Sequence, residues 1–346
     1  MQKILSIIIP TYNMERLLPR CLDSLITPSC PESLEVLVVN DGSKDSSLEV
    51  AREYERTYPG IVRVIDKKNG NYGSAVNAGI EYCHGKYVRI LDADDLYNHE
   101  GLISLLEALS TLDVDMVLTN YCSESGMVTS YFNGPKERHG QISDLRNLSI
   151  EEFPNYAMHG ITFRSSILKE KDIRLLEGIS YTDTEFIFYP LQFVRTFVFL
   201  DVLVYRYQLG REGQTVEISS RVKGIANMEK IIDRMHNYLT TTRVDKEVYE
   251  KQRFIFCYLC TFFFMTVLCF DKSGKHLVSA DNVLSKVRDI DGAEAIMMSK
   301  SLYGIPFYRR YVLSGRQSSS TLFRLYYRAI AEGKRILARI LGNLRR

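Results

Sequence analysis

The sequence has little net charge: 44 Lys and Arg against 42 Asp and Glu leave a formal +2 over 346 residues. With 45% hydrophobic and 25% charged residues, it lacks the bias of disordered or collagen-like chains. It also lacks a disulfide frame. The seven cysteines (Cys21, Cys30, Cys83, Cys122, Cys257, Cys260, Cys269) are odd in number, scattered and mostly set in apolar stretches, which fits free thiols in a reducing compartment. Cys257 and Cys260 form a C-x-x-C, but the surrounding FIFCYLCTFFF has no second Cys/His pair for zinc and reads as the buried side of a helix. The N-terminus, MQKILSIIIP, has neither the long apolar core nor the small-residue cleavage site of a signal peptide, so a cytoplasmic location is expected. There is no internal repeat.

What is present is length, and a segregation of charge that the total hides. A chain of 346 residues suggests about two domains. Residues 303–346 carry ten Lys/Arg and one acid, Glu332, a net +9, which leaves −7 on the rest. That basic segment interleaves its cations with Leu322, Phe323, Leu325, Tyr326 and Tyr327. Such a helix suits peripheral contact with an anionic membrane surface, or docking on the protein's own acidic body. No recognisable nucleic-acid motif accompanies the charge, so no nucleic-acid partner is expected. Phe254 to Phe270 is a run of 17 uncharged positions, at the short edge of the ~20 residues that span a bilayer. Its alternatives are a helix buried within the C-terminal region or one at a homodimer contact.

Strand-length apolar runs (Leu5 to Ile9, Leu34 to Val39, Val62 to Asp66, Tyr87 to Leu91, Met116 to Asn120) alternate with amphipathic segments through the first 120 residues. The pattern predicts an α/β fold, a mostly parallel sheet flanked by helices. A further strand is expected at Phe197 to Tyr207, and from about Arg221 the pattern turns helical. The expected division is 1–220 and 221–346. Ligands of such sheets sit at the carboxyl ends of strands, and there the chain places Pro10-Thr11-Tyr12-Asn13, Asn40-Asp41-Gly42-Ser43, Lys68-Asn69-Gly70-Asn71-Tyr72-Gly73 and Asp92-Ala93-Asp94-Asp95. Three carboxylates within four residues repel one another unless a cation neutralises them, and hard oxygen ligands suit Mg2+ or Mn2+. A helix cap and first-turn acid would explain Asp94-Asp95 equally well. The glycines of the third loop allow close approach of backbone to a ligand, but they form neither a dinucleotide fingerprint nor a Walker loop.

Taken in order, SIIIPTYN, LEVLVVNDGSKDSS, KNGNYGSAVNAGI and GKYVRILDADD resemble the family 2 inverting glycosyltransferases, nucleotide-diphospho-sugar transferases of GT-A fold (Rossmann-like). The resemblance covers roughly residues 3–120. It implies that Pro10, Thr11 and Tyr12 line a nucleotide pocket, that Asp41 meets the base, commonly uracil, and that Asn69 and Gly73 border the donor. Asp92 and Asp94 match the D-x-D pair, with Asp92 on ribose and metal and Asp94 on metal, and Asp95 supporting the loop. Val76 stands where the family usually has Arg.

The general base of such enzymes is usually the Asp of a Glu-Asp pair opening a helix about 90 residues later; Asp183 matches it, with Thr182 in place of Glu and Glu185 as the fallback. A plain helix N-cap is the other reading of Asp183. His159 falls where acceptor-facing structure is built, and packing is its alternative. Arg211, in the loop after the last core strand, would screen phosphate charge or simply face solvent. The resulting expectation is a metal-dependent hexosyltransferase acting from a UDP-sugar donor on a glycan or lipid-linked acceptor in surface polysaccharide synthesis. The rival is a non-catalytic nucleotide-sugar-binding scaffold of such a system, prompted by Val76 and Thr182.

Overall fold

The computed structural model describes residues 3–26, 32–150, 152, 157–211, 213–271, 273–298 and 312. Apart from residue 312, the basic segment 303–346 lies outside them, as does Cys30. The chain divides into two compact units: residues up to Ser125 with Thr129–Leu209, and Gly126–Val128 with residues from Gly210 on.

In the first unit, strands β1 (Leu5–Thr11), β2 (Leu34–Asn40), β3 (Val62–Asp66) and β4 (Tyr87–Ile90) alternate with helices α1 (Leu18–Asp23), α2 (Ser47–Thr57) and α3 (Asn71–Tyr82). Then follow β5 (Leu96–Tyr97), α4 (His99–Thr111), β6 (Met116–Ser125), β7 (Val128–Phe132), β8 (Ile142–Asp144), β9 (Ile161–Arg164), α5 (Ser165–Glu170), α6 (Asp183–Phe188) and β10 (Thr196–Gln208). Every residue of β2 is buried, as is all of β1 except the half-buried Pro10, which is what their unbroken apolar runs require of strands covered on both faces. Local signals set the helix starts. Pro19 opens α1, and the Asn98 side chain caps α4 by accepting from the Gly101 N–H.

The ten strands form one sheet in the order β3-β2-β1-β4-β9-β6-β10-β5, with β7 on β6 and β8 on β10. β1, β2, β3 and β4 are parallel, and β6 pairs β10 in parallel. β9 enters antiparallel between β4 and β6. The winding runs from β1 out to β3 and returns to β4 on the other side of β1. The order therefore reverses between β1 and β4, the place where open sheets leave a crevice at their carboxyl ends.

The second unit contains α7 (Ile218–Lys223), α8 (Ile225–Thr241), α9 (Lys246–Met265), α10 (Leu277–Asp289) and α11 (Ala293–Met298). α9 continues into a π-helical turn at Thr266–Phe270. The buried Arg221 stacks on Phe262 at 3.9 Å and donates to the Thr266 hydroxyl at 3.0 Å. Lys246–Phe270 is long and apolar enough to cross a membrane, yet 72% of its most apolar stretch is buried within the protein, as in a core helix. All six described cysteines are buried.

Candidate functional site

The loops leaving β1 and β2 are laced together. The Asp41 N–H donates to Thr11 O at 2.8 Å, the Asn13 N–H to the Ser43 hydroxyl at 3.1 Å, and the Lys44 N–H to Asn13 Oδ1 at 2.7 Å. Gly42 has φ +70, a left-handed turn that spares the chain the strain a side chain would bring. Tyr12 is exposed and Pro10 half-buried at the crevice. Thr11 departs from the sequence expectation of a pocket-lining side chain: it is buried, and its hydroxyl donates back to Ile9 O at 3.0 Å, so it stiffens the strand end instead.

Asp41 is buried at the tip of β2, and its Oδ1 accepts from Lys67 Nζ at 2.7 Å and the Gly70 N–H at 2.9 Å. Asn69 Nδ2 donates to Asp41 O at 2.8 Å. Both residues thus fix the third loop beside the first two. Gly73 also departs from the expectation. A Cβ there would lie 2.1 Å from Leu176 O and 3.1 Å from the Thr182 hydroxyl, so the backbone that comes close is the chain's own.

Segment 173–182 is a strap over α3. The Gly178 N–H donates to Gly70 O at 2.7 Å, and the Leu175 N–H to Asn77 Oδ1 at 2.9 Å, while Asn77 Nδ2 donates back to Leu175 O at 2.9 Å. The strap ends at Thr182 and hands Asp183 to the start of α6. Tyr181 takes a left-handed φ of +70 just before it, a conformation that a bulky residue holds only where its surroundings enforce it.

The acidic loop after β4 is built from within. The Asp95 N–H donates to Asp92 O at 2.9 Å. The Asp95 carboxylate is fully buried and accepts from the Tyr205 hydroxyl at 2.6 Å and the Gln208 N–H at 2.6 Å. Burial, with Asp92 and Asp94 beside it, pushes its pKa well above the usual carboxylate range. Asp95 therefore anchors the loop to β10, while Asp92 and Asp94 keep partial exposure. The Tyr72 hydroxyl donates to Asp92 Oδ1 at 2.8 Å.

His159 joins this cluster from the chain before β9. Its ring lies 4.5 Å from that of Tyr205 and 4.7 Å from that of Tyr207, centroid to centroid. Arg89, wholly buried in β4, donates to His159 O and, at 2.9 Å, to the Thr119 hydroxyl. Burial and the Arg89 charge lower the His159 pKa to about 3, so the ring is neutral at neutral pH. Its Nδ1 is buried without a hydrogen-bond partner among the described residues. Ligand atoms of Asp92, Asp95 and His159 lie within 4.8 Å of one another. Carboxylate oxygens beside a neutral imidazole suit a divalent cation such as Mg2+ or Mn2+.

Asp183 is half-buried, and burial raises its pKa above the ordinary carboxylate value. Its charge, like that of Asp92, helps to raise the pKa values of Tyr72 and Tyr207. Glu185 corrects the expectation of a fallback base or acceptor contact. It has no exposed surface, and its Oε2 accepts from the Leu176 N–H at 2.7 Å, so it secures the strap. Arg211 lies in the second unit, where its N–H donates to Gln214 Oε1 at 3.1 Å. Sequence reasoning missed roles for Tyr72, Tyr205, Tyr207 and Arg89. Their partners are distant in sequence, and an aromatic or a lone Arg in a strand reads locally as packing.

A doubly flanked, mostly parallel sheet with its acidic loop at the β1/β4 crevice, followed by a helical region, defines a GT-A architecture. Residues 6–171 match the Glycosyl transferase family 2 profile. The chain is 31% identical over 211 residues to the uncharacterized glycosyltransferase YibD of Escherichia coli K12, covering 54% of this chain and 57% of that one. It is 38% identical over 102 residues to a poly(ribitol-phosphate) beta-glucosyltransferase of Bacillus spizizenii, covering 29% of this chain and 16% of that one. The chain thus spans little more than half of the first relative and a small part of the second. Among solved structures it resembles S. aureus TarS 1-349 in complex with UDP-GlcNAc, with a TM-score of 0.60 and 20% identity, covering 91% of this chain and 92% of that one.

Proposed function

We propose that this protein is an inverting, metal-dependent glycosyltransferase that moves a sugar from a UDP-linked donor to a hydroxyl of a glycan or lipid-linked acceptor in surface polysaccharide synthesis. The observation that carries the reading is the cluster after β4, where ligand atoms of Asp92, Asp95 and His159 lie within 4.8 Å of one another, with Asp183 near enough for its charge to help raise the Tyr72 and Tyr207 pKa values. The TarS complex with UDP-GlcNAc and the poly(ribitol-phosphate) glucosyltransferase support the donor and acceptor classes.

In this reading the first unit carries the chemistry. The loops after β1 and β2, with Tyr12, Asp41 and Asn69, cradle the nucleotide. Asp92 and Asp94 would hold Mg2+ or Mn2+, with the His159 ring beside the same cluster, and the ion would supply charge neutralisation for the leaving diphosphate. Asp183 takes the acceptor proton while the acceptor oxygen bonds to the anomeric carbon. The bond from that carbon to the diphosphate oxygen breaks in the same displacement, which inverts the centre. A carboxylate whose pKa is raised by burial is a better base for this than an exposed one. Asp183→Asn is expected to bind donor as wild type does and to lose transfer by roughly 10²–10⁴-fold. Transfer at the wild-type rate would remove Asp183 from the role of base.

A further inference from the structure

We propose that Tyr72 is a positioning residue that orients Asp92 for the divalent cation, and that the 173–182 strap holds it there. The inference rests on the reading of Asp92 as a cation ligand and adds a residue that neither the motif pattern nor the family match assigns. Tyr72 is the second residue of α3, and its hydroxyl donates to Asp92 Oδ1 at 2.8 Å, with Met158 Sδ 3.2 Å from the Tyr72 hydroxyl oxygen. A phenol donor fixes a carboxylate's rotamer without adding a charge that competes with the cation. Ligating carboxylates are commonly held by such outer hydrogen bonds, and loss of one costs about 10–100-fold in metal affinity.

The rest of the geometry exists to keep that hydroxyl in place. Asn71 takes a left-handed φ of +69, and its Oδ1 accepts from the Tyr72 N–H at 2.9 Å, which shapes the entry to α3. One residue on, Gly73 lies directly beneath Leu176 O, and Leu176 is itself held by the buried Glu185. The strap that presses on Gly73 is the segment that delivers Asp183. Tyr72 thus links the cation-side carboxylate to the helix on which the strap is seated.

The test is a Mn2+ titration of the full chain without nucleotide, read by the EPR signal of free Mn2+, on wild type, Tyr72→Phe, Tyr72→Met and Asp92→Ala. Tyr72→Phe and Tyr72→Met are expected to bind Mn2+ about tenfold more weakly or worse, with Tyr72→Phe melting at the wild-type temperature. Wild-type affinity in either folded variant, with Asp92→Ala impaired, would overturn the role of Tyr72 and leave the cation reading intact. Wild-type affinity in Asp92→Ala would instead overturn the cation reading and this inference with it.

Discussion

Asp95 and Asp92 are neighbours in one loop, but their surroundings give them opposite tasks. Asp95 is buried and doubly hydrogen-bonded to β10, which makes it a structural anchor; Asp92 keeps partial exposure and one phenol donor. His159 shows the same control by environment. Its pKa falls from 6.5 to about 3, so between those values the unfolded chain binds a proton that the fold refuses. This group's contribution to stability is therefore complete above pH 6.5 and shrinks as the pH drops towards 3. The His159 ring signals in an NMR titration are expected to stay those of a neutral imidazole from pH 8 to pH 5. A midpoint near 6.5 would contradict the buried placement beside Arg89.

The strap and α3 form a unit at the scale of elements, and their contact leaves no space for a side chain at residue 73. Gly73→Ala sets a methyl against the Leu176 carbonyl, which is backbone and yields only if the strap moves. Such overpacking costs about 3 kcal/mol, and the variant is expected to show a lower melting temperature together with weaker Mn2+ binding. Unchanged melting would show that the strap is not seated on α3. This contact also marks where sequence reading stops. Strands β1 to β4 and the acidic loop after β4 were legible because apolar runs, turn residues and clustered carboxylates are local signals. The Gly73 of the third loop looked like a place for a ligand, and only the fold shows that Leu176, 103 residues on, occupies it. Glu185 belongs with it: beside Asp183 in sequence it reads as a fallback base, whereas α6 turns it into the interior.

At the scale of the molecule, the sheet order places the loops after β1, β2 and β4 around one crevice, and the insertion of β9 brings His159 to it. The near-zero net charge of the sequence covers an acidic body whose crevice carboxylates a cation would neutralise. The apolar stretch within Lys246–Phe270 belongs mostly to the interior of the helical unit. The central claim is that this crevice binds a nucleotide-diphospho-sugar through a divalent cation. Ligand binding to the fold raises the melting temperature by mass action, so the most direct measurement is the melting temperature of wild type and Asp94→Ala against a panel of nucleotide sugars, with Mn2+ and with chelator. At least one UDP-sugar is expected to raise the wild-type melting temperature only with Mn2+, and to leave Asp94→Ala unmoved. No shift with any nucleotide sugar, or an equal shift in Asp94→Ala, would contradict it.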